Sequence, residues 1–382
     1  MQTETDTQQA AGLAARLALG WIALVAFLDT FAIVPVLAPY TQRTLDATDA
    51  QAGLVLSLYS LANLLANFYS GVIIDRFGRR LPMALSLWAA GVLIALYPFA
   101  QQVETLMLLR ALHGATGAVF VPALFALVGE YGRANRTGAM GGVGALIGLV
   151  ALLAPPIGGV IARNYGEPAL FWGVAWLMII GGLAALLLHE PRRTIHRRES
   201  INPLEALRFP ILRAAYLLTF GMTFTMGVLT FALPVSLQQA GYDAAYRGRL
   251  FGLLALVSIV LMATLRRAGI LGGALGRAQL GVAFLTAGAL GLSLLAPPTG
   301  MWGVVVLYGV GFGLTFPAVH LAAFEGAPET RRGVSLALLH SVYSLGYVMG
   351  PAAAGVAGAA TAGYIGALAG AGAFVLARAV RR

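Results

Sequence analysis

No cysteine and no lysine occur among the 382 residues. The first absence removes thiol catalysis, thiolate metal sites, disulfides and redox switching. The second removes Schiff-base chemistry and the lysine of a phosphate-binding loop. Charge of either sign is scarce. The 25 cations, all Arg, and 15 carboxylates make up 10% of the chain, against about 25% in a soluble domain. Disorder, collagen and coiled coil are excluded by the same figures. Apolar residues supply 59% and Gly another 48 positions. The net charge of +10 does not imply nucleic acid, because a basic membrane protein keeps its Arg on the cytoplasmic face.

Long polar stretches are also scarce, and between them lie apolar runs. A helix needs ~20 such residues to cross ~30 Å of hydrocarbon. Twelve runs qualify, at about 15–38, 51–74, 82–101, 104–130, 138–162 and 168–188, then 211–238, 247–265, 273–296, 300–324, 333–358 and 361–380. None alternates in polarity as a barrel strand does. The opening MQTETDTQQA has no basic leader region and reads as a short tail. With an even number of spans and the N-terminus inside, Arg43, Arg163, Arg247 and Arg249 fall outside and Arg110 falls within a span. The other 20 Arg of the 25 fall inside. That segregation predicts cytoplasmic termini.

The one long polar segment, 189–210, predicts a cytoplasmic linker between two units, 1–188 and 211–382. Moving the first half onto the second by 195 positions places Gly114 on Gly309, Pro122 on Pro317 and Glu130 on Glu325. It also places Ala123 on Ala318, Arg136 on Arg331, Gly138 on Gly333 and Pro156 on Pro351. These are mostly helix-end and kink residues. The expected fold is an all-α membrane protein of twelve transmembrane helices in two pseudo-symmetric six-helix bundles. A parallel repeat of six spans is a transporter architecture.

The loop after the second run reads Gly71-Val-Ile-Ile-Asp75-Arg76-Phe-Gly78-Arg79-Arg80. Gly71 allows close helix approach. Asp75 suits a facing helix N-terminus. Gly78 permits a tight turn. Arg76, Arg79 and Arg80 offer bidentate donors to carboxylates such as Glu130. The pattern G-x-x-x-D-R-x-G-R-R resembles the signature loop of the major facilitator superfamily, and it stands where that family carries it. The fourth run, Arg110-Ala-Leu-His113-Gly114, resembles the family's R-x-x-x-G element, with His where Gln is commoner. Ala154-Pro155-Pro156-Ile157-Gly158-Gly159 resembles the kink element of the family's antiporters, although Ala154 stands where Gly is usual. Gly346-x-x-x-Gly350-Pro351-x-x-x-Gly355 keeps the same chemistry in the second half. Phe27-Leu28-Asp29-Thr30-Phe31, with Pro35 and Pro39 after it, resembles the first span of drug-exporting members. Together these mark the chain as similar to twelve-span drug:proton antiporters.

Asp29 is the one carboxylate well inside a run, and intramembrane ionisable residues are functional by default. Its other reading is a structural partner for Arg110. Asp29 lies ~20 Å above the inner edge and Arg110 ~9 Å below the outer one, so in a ~30 Å core the two are expected to meet. His113 is the next candidate. For the cytoplasmic gate the candidates are Gly71, Asp75, Arg76, Gly78, Arg79, Arg80, Glu130 and Arg136. Asp75 or Arg76 is expected to bridge the halves, or reach the 4–5 loop, when the protein opens outward. Residues 266–277 carry Arg but no acid, so the latch is expected to be asymmetric. Pro155, Pro156, Gly158, Gly159, Gly350 and Pro351 are expected to let helices bend or slide. Tyr59, Asn63 and Asn67 form a stripe on one helical face, facing either a cavity or another helix. Phe220, Met222, Phe224 and Met226 could line an adaptable apolar cavity or pack a core. His320, His340, Ser344 and Tyr347 complete the cavity candidates, each His being titratable near neutral pH or simply hydrogen-bonded.

No nucleophile–base set, metal set or nucleotide loop is found. The resemblance implies a proton-coupled secondary active exporter of small hydrophobic or cationic compounds, without cofactor. Its partners would be substrate, protons and the lipid bilayer, with no nucleic acid, and it would sit as a monomer in a bacterial inner membrane. A uniporter or symporter for a sugar or other metabolite is the alternative. A membrane-embedded enzyme or lipid-handling protein is the remote one.

Overall fold

The structure, a computed structural model, describes residues 2–132, 135–190, 203–265 and 273–380. In hydrocarbon every backbone N–H and C=O must be satisfied within its own segment, so the apolar runs become helices. Twelve long helices result among the described residues. The first six are α1 (Gln2–Leu45), α2 (Asp49–Phe77), α3 (Arg80–Ala95), α4 (Val103–Tyr131), α5 (Arg136–Tyr165) and α6 (Glu167–Leu186). The second six are α7 (Pro210–Gln239), α8 (Ala244–Leu265), α9 (Ala274–Leu294), α10 (Thr299–Glu325), α11 (Arg332–Ala357) and α12 (Ala362–Ala379). All twelve are long and apolar enough to cross a membrane. Polar residues set their ends. Thr48 and Gln51 close a reciprocal capping box on α2, and Asn135 Oδ1 accepts from Gly138 N at 2.8 Å on α5.

The two halves repeat each other in contacts as well as in sequence. Asn63 of α2 donates to the Gly114 carbonyl of α4 at 3.1 Å. Ser258 of α8 donates to the Gly309 carbonyl of α10 at 3.0 Å. Both residue pairs obey the 195 offset. The fifth and eleventh helices do not. A methyl on Gly248 would lie 2.2 Å from the Pro155 carbonyl oxygen, and one on Gly53 would lie 2.4 Å from that of Pro351. A methyl on Gly159 would meet the Ala244 oxygen at 2.4 Å, and one on Gly355 the Asp49 oxygen at 2.5 Å. Pro351 is therefore the spatial counterpart of Pro155 and not, as the gap-free offset implies, of Pro156. A one-residue slip between α4 and α5 explains the difference.

Those contacts form two seams, α2 with α11 and α5 with α8, and they join the halves. Both lie at the distal end, opposite the chain termini. There the Arg163–Asp243 ion pair at 3.3 Å and the Ala359 N–Asp49 Oδ2 hydrogen bond at 3.1 Å also cross. Toward the terminal end the seams run out. A methyl on Gly141, Gly142 or Gly144 would meet nothing within 4 Å, and Phe68 and Tyr69 of α2 are exposed. The Arg79–Glu130, Arg331–Glu205 and Arg332–Glu329 ion pairs at that end do not cross between α1–α6 and α7–α12. Among the described residues, the contacts that join the halves gather toward the distal end. Most of the proposed linker, and residues 266–272 of the second-half loop, lie outside the described residues.

Candidate functional site

Asp29 and Arg110 are both buried, at 1% and 7% exposure, but the expected contact between them is not made. Asp29 Oδ2 instead lies 3.0 Å from His113 Nε2. That separation is close enough for an ion pair, while the alignment falls short of a good hydrogen bond. The depth arithmetic brought the right helices together and missed the azimuth. Arg110 turns toward α2, where its Nε donates to the Val55 carbonyl at 3.4 Å and its guanidinium lies 4.6 Å from the Tyr59 ring centre. His113, one turn on, takes the place facing α1.

Tyr97 completes the cluster and was not foreseen. α3 stops at Ala95 and a short 3-10 turn, Tyr97–Phe99, follows. Pro98 disfavours helix at the residue before it, and the break turns the Tyr97 ring fully inward. A Tyr-Pro step at the end of an apolar run was the available signal. Tyr97 Oη lies 2.7 Å from His113 Nδ1 and accepts from Arg110 Nη1 at 3.3 Å. A guanidinium only donates. The Tyr97 hydroxyl thus takes the Arg110 hydrogen bond and shares a second one with His113 Nδ1. When Nδ1 of a neutral ring accepts that hydroxyl proton, Nε2 carries the ring proton and faces Asp29. Thr30 Oγ1 donates to the other carboxylate oxygen at 3.2 Å. The chain Arg110–Tyr97–His113–Asp29 joins a buried cation to a buried anion through two rings.

The stripe on α2 splits in role. Tyr59 packs edge-on against His113, with centroids 5.0 Å apart. Asn63 bonds to α4. Asn67, nearer the terminal end and exposed, donates back to Asn63. On α7 the cavity expectation fails for three residues: Met222, Phe224 and Met226 are buried in the core. Gly346 and Gly350 of α11 pack closely on the Phe224 backbone. Phe220 stays half-buried, its ring 5.6 Å from that of Phe224.

A second cluster forms between α10 and α11. Phe312, Phe316 and His320 succeed one another along α10, and His320 meets His340 of α11 with centroids 5.4 Å apart. Tyr343 and Tyr347 continue it, 5.2 Å apart, and Ser344 lies half-buried beside them. His320 Nδ1 is held by the Phe316 carbonyl at 2.7 Å, so its Nε2 is available.

At the terminal end, Gly78 adopts φ +86°, and Glu190 fills the turn. Its carboxylate accepts from Arg79 N at 3.0 Å and Arg80 N at 2.9 Å, capping α3. Arg79 also pairs with Glu130 at 2.7 Å. Asp75 and Arg76 are exposed, and Gly71 is half-buried. The Arg136 side chain lies outside the described residues. Glu190 escaped the sequence reading because its partners are backbone groups over a hundred positions away. The proline elements do not break their helices: α5 runs through Pro155 and Pro156, and α11 through Pro351. Gly158 packs on the Ala32 carbonyl of α1 and Gly159 on α8.

A profile of the Major Facilitator Superfamily matches residues 19–351. "Multidrug resistance protein MdtG" of Enterobacter lignolyticus is 26% identical over 350 residues, 88% of this chain and 84% of that protein. Among solved structures, a bacterial homolog of the human lysosomal transporter Spinster, described as inward-facing and unoccupied, superposes with a TM-score of 0.78 at 17% identity. That likeness covers 97% of this chain and 96% of the other. The nucleoside transporter NupG, as a D323A mutant, gives 0.79 at 13% identity, covering 96% of this chain and 100% of the other. These two likenesses concern the fold alone.

Proposed function

The chain belongs to the Major Facilitator Superfamily, an integral membrane transporter and not an enzyme, and from that premise we propose that it is a proton-coupled exporter of small hydrophobic or cationic compounds. Its site is a bacterial inner membrane, with the termini cytoplasmic and the terminal end described above as the inner end. The distribution of Arg supports that orientation. Export is supported by the relatives named for multidrug resistance. In this reading the structure is inward-open and the protein works as a monomer.

The observation that carries the coupling is the Asp29–His113 contact, buried between α1 and α4 beside Arg110. A proton on Asp29 cancels its attraction for His113. Its departure restores a carboxylate that must be neutralised by the ring, by Arg110 through Tyr97, or by a cationic substrate. Asp29 can then exchange a proton for substrate as access alternates. The half-buried rings of α10 and α11 supply apolar faces for the compound itself.

The test is proton flux in proteoliposomes against a panel of lipophilic cations and neutral aromatics. Antiport predicts substrate-triggered proton movement that Asp29→Asn abolishes. Substrate movement without proton movement would instead make the protein a uniporter.

A further inference from the structure

Three of the four Arg that the sequence places on the outer side converge on one cavity. Arg43, Arg163 and Arg247 line a space of about 350 Å³ at the distal end, together with Glu167, Gln238 and Asp243. The cavity straddles the seam, since Arg43, Arg163 and Glu167 belong to the first half and the rest to the second. Two of the cations are matched: Arg43 pairs with Glu167 and Arg163 with Asp243. Arg247 is not. It is 2% exposed, no carboxylate lies within 4.0 Å of it, and its Nε has no hydrogen-bond partner among the described residues. The Gln238 side-chain oxygen is likewise unpartnered. A buried, unpaired guanidinium is costly, and three cations against two carboxylates leave the cavity one positive charge in excess.

We propose that this cavity is an anion site for a phosphate or carboxylate group, and that its occupant pins the distal end shut. Arg247 offers a planar fork of donors that matches an oxyanion bidentately. Arg43 and Arg163 face it from the other half, so a bound anion is attracted to both sides of the seam at once. Opening the distal end separates those charges and releases it. Anion binding and closure are then linked, and each favours the other. The group can come from a soluble anion or from a lipid headgroup. The site depends on the seam and not on proton coupling, so an unchanged Asp29→Asn variant would not bear on it.

The absence of native cysteine allows spin labels at Tyr165→Cys and Gln239→Cys, exposed positions at the distal ends of α5 and α7. Inorganic phosphate titrated at constant ionic strength should shift the distance distribution toward the closed state, saturably. Arg247→Gln should raise the half-saturating concentration about tenfold or more. Arg249→Gln, outside the cavity, should leave it unchanged. If Arg247→Gln does not fold, the half-exposed Arg163→Gln must weaken the response instead. Nanodiscs of phosphatidylglycerol without added phosphate, against neutral-lipid nanodiscs with it, decide the source. Closure in the first assigns a headgroup, and closure only in the second a soluble anion. No saturable shift, or equal shifts in wild type and the variants of the cavity arginines, would mean that the cavity holds water only and would overturn the proposal.

Discussion

Tyr97 ties the buried cluster together, because its hydroxyl hydrogen-bonds to both Arg110 and His113. Tyr97→Phe keeps the ring that packs on Phe171 and deletes only the link, at a stability cost of about 1 kcal/mol. Proton-driven transport should lose its dependence on pH while substrate affinity stays the same. A pH profile of transport beside a binding isotherm checks this, and an unaltered profile would remove Tyr97 from the mechanism. Arg110→Ala should be worse for the fold, by about 2–5 kcal/mol, because it leaves a buried cavity and strips the Val55 carbonyl and the Tyr97 hydroxyl of their donor. Thermal unfolding in detergent should rank the variants in that order.

At the scale of elements, the seams are tightest where glycine faces a carbonyl. Gly159→Val puts a branched side chain where even a methyl would sit 2.4 Å from the Ala244 oxygen. The distal end should then be forced open and transport lost, with the individual helices intact. Accessibility of a cysteine placed near Ala162, read by thiol labelling from outside, should rise; continued protection would mean that the seam tolerates bulk. The loop between α2 and α3 divides its work differently. Glu190→Gln weakens the charge-assisted cap on α3 and should cost about 0.5–2 kcal/mol of stability. Asp75, exposed in this state, contributes nothing to that cap. Asp75→Asn should therefore leave the unfolding temperature alone, yet slow transport by weakening the closed inner end. Equal unfolding shifts in the two variants would refute the division.

The two halves meet along two pseudo-symmetric seams that are tightest at the distal end. If that end must part once per cycle, tying it should stop the cycle. Arg163→Cys with Asp243→Cys, joined by a short reducible bifunctional reagent, replaces the ion pair that crosses there with a covalent link. Transport should fall to background and return on reduction. A tied protein that transports at the full rate would exclude rocking about these seams.

Span number, the signature loop and the buried Asp29 were legible in the sequence, because the bilayer imposes a length and an apolarity on each helix that composition alone reveals. Azimuth was not. Whether Asp29 meets Arg110 or His113 depends on how α1 and α4 are rotated by their neighbours, and a helix apolar on every side carries no periodicity to report that rotation. The same holds for Met222 and Met226, buried in the core rather than open to a cavity. Tyr97, Glu190 and Arg247 were silent for a related reason: each acts on groups remote in the chain, and only the packed bundles bring those groups within reach. The gathering of contacts between the halves toward one end is likewise absent from the sequence, where the partners stand far apart, and only the tertiary structure joins them.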